Sequence, residues 1–213
     1  LPLIGNRKFI HASTSSVYGF SDTKILDEDG ELNPVSHYGR SKVEAEKIIQ
    51  EILPNYTMFR LGTLYGASPR MRYDLVINRF IAQALKGEKI TVYGGQQARP
   101  VVHIQDAAYG FIHAIENDWP GIYNLIFTSY TIFQIAEIIG AKLKAEIVVD
   151  PTRSDVRSTY IIDRKLKAKG FRPSVSVLDS IKEFTHFDSW QNYDAEPYSN
   201  EKILKRLKQE GKL

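Results

Sequence analysis

Apolar and polar positions follow two rhythms along this chain, and the switches between them mark out the elements. Lys8 to Ser13 has Phe9 and Ile10 at its centre and runs into the hydroxyl-rich stretch Ser13-Thr14-Ser15-Ser16, which predicts a buried strand ending in a polar turn. Asp22 to Pro34 is a polar loop rich in Asp, Glu and Gly. Ser36 to Leu53 changes to helical spacing, with Val43, Ile48, Ile49 and Ile52 on or near one face, and Pro54 stops it. Tyr56 to Leu61 is a second strand, followed by a turn around Gly62 and Gly66. Further on the spacing predicts a helix over Asp74 to Lys86 closed by Gly87, a strand over Lys89 to Tyr93, and a turn at Gly94-Gly95. Val101 to Ile104 and Ile122 to Ile126 read as extended. Asp106 is the expected N-cap of a helix through Ile115. Thr131-Ile-Phe-Gln134 is a capping-box pattern opening a helix with Ile135, Ile138 and Ile139. Glu146 to Val149 is a strand, helical stretches surround Leu166 and Ile181, and Asn200 to Gln209 is an exposed helix. Strands alternating with helices of about ten residues or more predict an α/β fold with a largely parallel sheet, followed by a second lobe of shorter strands.

Composition narrows this picture only modestly. The chain has 213 residues, 43% hydrophobic and 25% charged, enough for one sizeable core or two small ones. The net charge of +3 is spread along the helices rather than gathered in blocks, which argues against a nucleic-acid partner. There is no cysteine, so disulfides and thiolate metal sites are excluded and a reducing, cytoplasmic setting is expected. The five histidines, His11, His37, His103, His113 and His186, lie far apart, and no metal site is expected from them. No apolar run reaches the roughly 18 residues a membrane span requires, and nothing at the start resembles a signal peptide.

Chemistry enters at Tyr38-Gly-Arg-Ser-Lys42. A phenol and an ammonium four residues apart share one helix face, one turn apart. A phenol titrates near 10, too high for a base at neutral pH, but a neighbouring cation favours the phenolate. Such a pair can exchange a proton with a substrate hydroxyl while hydride leaves the same carbon. The pattern alone is weak: with 12 Tyr in the chain, about one Tyr-x-x-x-Lys arises by chance. Tyr198-Ser-Asn-Glu-Lys202 is an internal control, matching the spacing within a charged C-terminal helix with no hydroxyl cluster before it, and it reads as surface.

The first pair has context. Phe9-Ile-His-Ala-Ser-Thr14-Ser-Ser-Val-Tyr-Gly19, followed by Tyr38-Gly-Arg-Ser-Lys42, resembles the extended short-chain dehydrogenase/reductase family of nucleotide-sugar epimerases and dehydratases. The resemblance runs over nearly the whole chain. It implies a catalytic Thr14, Tyr38 and Lys42, with the last two also binding the cofactor. Arg60-Leu-Gly-Thr-Leu-Tyr-Gly66 is similar to the family's Arg-x-x-Asn-x-Tyr-Gly turn, whose Asn holds the substrate diphosphate and is Thr63 here. Arg99-Pro-Val-Val-His-Ile-Gln-Asp106 and Asp155-Val-Arg157-Ser are similar to segments whose Arg reaches the diphosphate; Arg153 competes with Arg157, and Asp106 reads as a helix cap rather than a ligand. A planar guanidinium suits phosphate oxygens.

The resemblance implies a partial Rossmann-like parallel sheet, its second half, with a smaller α+β substrate-binding lobe. Residues 1–66 would be the C-terminal half of the NAD-binding domain, and 67–213 the substrate lobe, with about 98–126 returning to the sheet. No Gly-x-Gly-x-x-Gly or Gly-x-x-Gly-x-x-Gly occurs in the sequence, although NAD or NADP needs such a turn. A fragment is therefore expected, lacking on the order of 110 residues, inactive and without NAD affinity by itself, with a sheet edge and an apolar face uncovered. The family's dehydratases place acidic residues directly after the catalytic Thr, and related decarboxylases a Glu two residues on; here those positions are Ser15 and Ser16. That favours a 4-epimerase working through a 4-keto intermediate. A 4-keto reductase or a 4,6-dehydratase is the alternative within the family, and a non-catalytic dinucleotide sensor or inactive remnant the alternative outside it. A homodimer is expected when full length.

Overall fold

Helix α1 (His37–Ile52) separates two parallel strands, β1 (Phe9–Thr14) and β3 (Tyr56–Leu61), in a computed structural model that describes residues 5, 7–20, 25–152 and 158–212. The strands pair in register from Phe9 opposite Tyr56 to Thr14 opposite Leu61. Strand β7 (Gly121–Leu125) pairs parallel on the far side of β3, giving the order β1-β3-β7. Among the described residues β1 has no neighbour on its other edge.

Period-2 alternation divides the sheet into two covered faces. Phe9, Met58 and Ile122 pack with Ile49 and Leu53 at the α1 end. Ile10, Phe59, Tyr123 and Leu125 pack with Ala107 and Ala114 of α3 (Ile104–Glu116) on the opposite side. Both faces being covered, the strands carry apolar residues on both, as parallel sheets require. Expectation and structure differ on α1. Val43 and Ile49 are buried, but Ile48 and Ile52 are exposed, because they lie on the flank of the helix beyond the sheet's reach. Tyr109, Ile112 and Ile115 of α3 are exposed as well.

A second body follows from α2 (Val76–Leu85), β5 (Ile90–Tyr93), α4 (Ile132–Leu143), β9 (Ile147–Asp150) and α6 (Val177–Phe184), whose aliphatic faces share the largest apolar cluster. Strands β5 and β9 pair parallel. The capping box at Thr131 forms as its sequence predicts, with Thr131 Oγ1 accepting from Gln134 N and the Gln134 side chain accepting from Thr131 N. A three-stranded sheet joins the bodies: β4 (Thr63–Tyr65) lies parallel to β6 (Ala98–His103), which runs antiparallel to β8 (Thr128–Thr131). A short parallel pair is formed by β2 (Ile25–Leu26), within the Asp22 to Pro34 stretch that sequence patterning reads as loop, and β10 (Tyr160–Ile161). The exposed helix expected at the C-terminus is α7 (Asn200–Gln209), and α5 (Arg164–Ala168) is the stretch around Leu166. Among the described residues no helix is long and apolar enough to cross a membrane.

Candidate active site

The site is built where β1 ends. Thr14 is its last residue, and the chain turns at once into a single 3-10 turn, Ser15–Val17. Thr14 is buried and its Oγ1 accepts from Ser16 N at 3.2 Å, capping that turn. The hydroxyl has one donor hydrogen and a second lone pair beyond this bond, so capping leaves it chemically available.

Ser36 starts α1 by accepting from Gly39 N at 3.0 Å. Tyr38 and Lys42 therefore stand one turn apart at the helix start, with Lys42 Nζ 6.0 Å from the Tyr38 ring centroid. Tyr38 is 55% exposed. Lys42 Nζ donates to Ala12 O of β1 at 2.9 Å, tying the helix back to the strand that carries Thr14. Gly39 makes this proximity possible. A Cβ there would lie 2.8 Å from Ser16 O and 2.9 Å from Pro34 Cβ, so any side chain would push Tyr38 and Lys42 off the turn that follows Thr14.

Beneath this seam is a buried polar network. Glu46, one turn beyond Lys42, is 1% exposed and Arg60 of β3 is 4% exposed; Arg60 Nη2 lies 2.8 Å from Glu46 Oε2. Ser13 Oγ donates to Glu46 Oε1 at 2.5 Å. Arg60 Nη1 donates to Tyr18 Oη at 2.9 Å and to Glu28 O at 3.1 Å, and Tyr18 Oη donates to Asn124 Oδ1 at 2.8 Å. Burial pushes the Tyr18 phenol up to about 12, outweighing the Arg60 charge that pulls it down. Tyr18 is thus a neutral strut, not a base. Burial and then the Lys42 ammonium hold His11 below the ordinary imidazole range, against the opposing pull of Glu46.

A cavity of about 320 Å³ opens beside the Ser15–Val17 turn. Ser15, Ser16, Thr63 and Arg99 line it, together with Arg79 and Tyr93 from the second body. Gly62 allows the β3–β4 link to come this close to β6: a Cβ at Gly62 would sit 3.0 Å from the Pro100 carbonyl group. Asp74 is the acidic residue of the lining, and it is already engaged, with Arg72 Nε at 3.1 Å, Arg72 Nη2 at 2.9 Å and Asn200 N at 3.1 Å.

The expected residues therefore fall in two groups. Thr63 and Arg99 line the cavity; Thr14, Tyr38 and Lys42 stand at the seam beside it, and Ser15 and Ser16 connect the two. Arg157 and its competitor Arg153 lie outside the described residues. Two further expectations need correction. Asp106 is not the N-cap of α3, which is His103, whose ring Nδ1 accepts from Gln105 N. Asp106 sits in the first turn, buried, accepting from Ser174 N at 3.0 Å and Val175 N at 2.9 Å, so it holds a distant segment instead. Tyr198 is not on the C-terminal helix: it ends a 3-10 turn (Glu196–Tyr198) and packs edge-on against Tyr73, while Lys202 lies on α7 and pairs with Asp194. The control pair does not share a helix face. The residue missed by motif is Arg79. Its signal was available: Leu75, Val76, Arg79 and Phe80 share one helix face, with a single cation among apolar neighbours.

Comparison with known proteins places these features in context. A family model described as NAD dependent epimerase/dehydratase family matches residues 3–125. An uncharacterized UDP-glucose epimerase of Bacillus subtilis is 37% identical over 107 residues, covering 48% of this chain and 33% of that protein. Human dTDP-D-glucose 4,6-dehydratase is 27% identical over 213 residues, covering 88% and 59%. Among solved structures, UDP-glucuronic acid 4-epimerase from Bacillus cereus, in complex with UDP-glucuronic acid and NAD, is similar with a TM-score of 0.70 and 28% identity, over 83% of this chain and 60% of that one. The chain spans 33% and 59% of the length of those two curated relatives.

Proposed function

The chain belongs to the NAD dependent epimerase/dehydratase family, and from that premise we propose that it acts on a nucleoside-diphosphate sugar, inverting the C4 hydroxyl through a 4-keto intermediate. The observation that carries this reading is the seam at Gly39. An exposed phenol and an ammonium share one helix turn, the ammonium is bonded to the strand that ends in Thr14, and the turn after Thr14 contributes Ser15 and Ser16 to a cavity that Arg79 and Arg99 also line.

The cofactor fits this seam in part. Lys42 has three donors, one of them spent on Ala12 O, and stands with Tyr38 at the C-terminal end of a parallel sheet, the position where such folds bind dinucleotides. These two residues would hold the nicotinamide ribose. The glycine turn that would cradle the pyrophosphate is not in the 213-residue sequence. When bound, NAD would supply the oxidation and re-reduction at the sugar carbon.

In this scheme the Tyr38 hydroxyl group, as phenolate, takes the proton of the C4 hydroxyl. Thr14 hydrogen-bonds the same oxygen, and the Lys42 ammonium favours the charged phenol oxygen electrostatically. Tyr38 later returns the proton to the inverted alcohol. Thr63, Arg99 and Arg157 hold the diphosphate. Residues 1–66 then serve the cofactor side and 67–213 the substrate side, with about 98–126 returning to the sheet.

Epimerisation is favoured over dehydration by Ser15 and Ser16, which line the cavity where a dehydratase needs acids and bases, and by Asp74 being tied to Arg72. A 4-keto reductase would use the same three residues. The test is to incubate the intact protein and NAD with UDP-, dTDP-, GDP- and CDP-sugars and follow C4 configuration by NMR. We expect one of them to give a pair of C4 epimers, and Tyr38→Phe to lower turnover by about 10²–10⁴-fold with sugar-nucleotide affinity nearly unchanged. Unchanged turnover in Tyr38→Phe would remove Tyr38 from the chemistry.

A further inference from the structure

The cavity has a second cation that no motif assigns. Arg79 is on α2, whose cavity-facing residues are Val76, Arg79 and Phe80, with Leu75 just before the helix. The guanidinium lies 5.6 Å from the Tyr193 ring centroid, and its Nη1 is 4.0 Å from Asp194 Oδ1, too long for a hydrogen bond. The ring and the carboxylate orient the group without consuming its planar fork of donors. Asp194 is itself paired more closely, at 3.0 Å, with Lys202.

Tyr193 is fixed in its turn. It is buried, its hydroxyl donates to Glu88 Oε2 at 2.6 Å, and Lys86 Nζ lies 5.3 Å from its ring centroid. The segment that supplies it is bound to the cavity's loop at several further points. Tyr73 N donates to Tyr198 O at 3.0 Å, Asn200 N donates to Asp74 Oδ2, and Arg70 Nη2 donates to Asn200 Oδ1 at 2.9 Å. The C-terminal segment is thus part of the wall that presents Arg79.

Arg79 brings a planar guanidinium to a lining whose carboxylate, among the described residues, is Asp74, paired with Arg72. Such a fork of donors suits the oxygens of a polyanion. Resting on the nucleotide-sugar reading above, we infer that Arg79 is a second guanidinium for the substrate's diphosphate, supplied by a different element from Arg99 and oriented by Tyr193 and Asp194.

The test is calorimetric titration of the intact protein with UDP, dTDP, GDP and CDP, and then with the nucleoside of the tightest binder. Arg79→Gln should weaken the diphosphate by at least about tenfold, or about 1.4 kcal/mol, and leave the nucleoside within about twofold. Arg79→Lys, which keeps the charge, should recover part of the loss. Equal losses for diphosphate and nucleoside would overturn the assignment, since they would mean a contact to the base or a structural role. If Arg99→Gln weakens the diphosphate and Arg79→Gln does not, the assignment falls while the nucleotide-sugar reading stands. Intact wild-type protein that binds none of the four diphosphates removes that reading and Arg79's role with it.

Discussion

Arg60 and Arg99 both begin motif segments similar to ones that hold a substrate diphosphate, and the structure gives the two side chains different surroundings. Arg60 is buried under α1 with Glu46, Tyr18 and the Glu28 carbonyl around its guanidinium. Arg99 lines the cavity. Around Arg60 every partner serves the fold: Ser13 and Glu46 fasten β1 to α1, and Asn124 extends the network to β7. Around the cavity, Arg79 and Arg99 are part of a lining that also carries Ser15, Ser16 and Thr63. The difference teaches how one turn of chain can be both exact in position and chemically free. A hydrogen-bonded, ion-paired interior fixes the strand and helix that carry Thr14, Tyr38 and Lys42 from below.

The largest effect expected from breaking that contrast is at Glu46. Removing one partner leaves the other charge buried and uncompensated, so Glu46→Ala should cost about 3–5 kcal/mol of stability, read by chemical denaturation. A loss below about 1 kcal/mol would mean that the network is not the foundation described. Gly39→Ala comes next. Its Cβ meets Ser16 O and Pro34 Cβ, so α1 must shift, at about 1–3 kcal/mol. Turnover should fall by more than the stability loss explains, because Tyr38 moves with the helix; a variant with normal turnover would show that the seam tolerates displacement. The smallest effect is at His11. Its folded imidazole resists a proton, through burial and Lys42, that the unfolded chain accepts near pH 6.5. The unfolded state then binds more protons, so this contribution is complete above 6.5 and is lost as pH falls below it. Melting temperature should drop between pH 7 and 5, and His11→Gln should flatten the slope; parallel slopes would exclude His11.

The sequence made the seam readable because its parts are local. Ser36 as cap, Pro54 as stop and the four-residue spacing of Tyr38 and Lys42 define α1 without tertiary information. The capping box at Thr131 is local in the same sense. What patterning could not show depends on distant partners. Asp106 reads as a cap until Ser174 and Val175 arrive from 68 and 69 residues away. Ile48 and Ile52 read as core because helical spacing cannot tell how wide the covering sheet is. Strands of two or three residues, such as β2, β4 and β10, are too short for any period to register.

The central claim is that the Tyr38 seam exchanges a proton with the C4 hydroxyl of a nucleotide-bound sugar while a hydride leaves and returns at that carbon, with no dehydration. The direct measurement is NMR of the product formed by the intact protein, with NAD, in heavy water. Inversion at C4 with no deuterium on the carbon skeleton, lost in Tyr38→Phe, is the result expected. A 6-deoxy-4-keto product with deuterium at C5 would contradict it, since elimination removes the C5 proton and solvent replaces it.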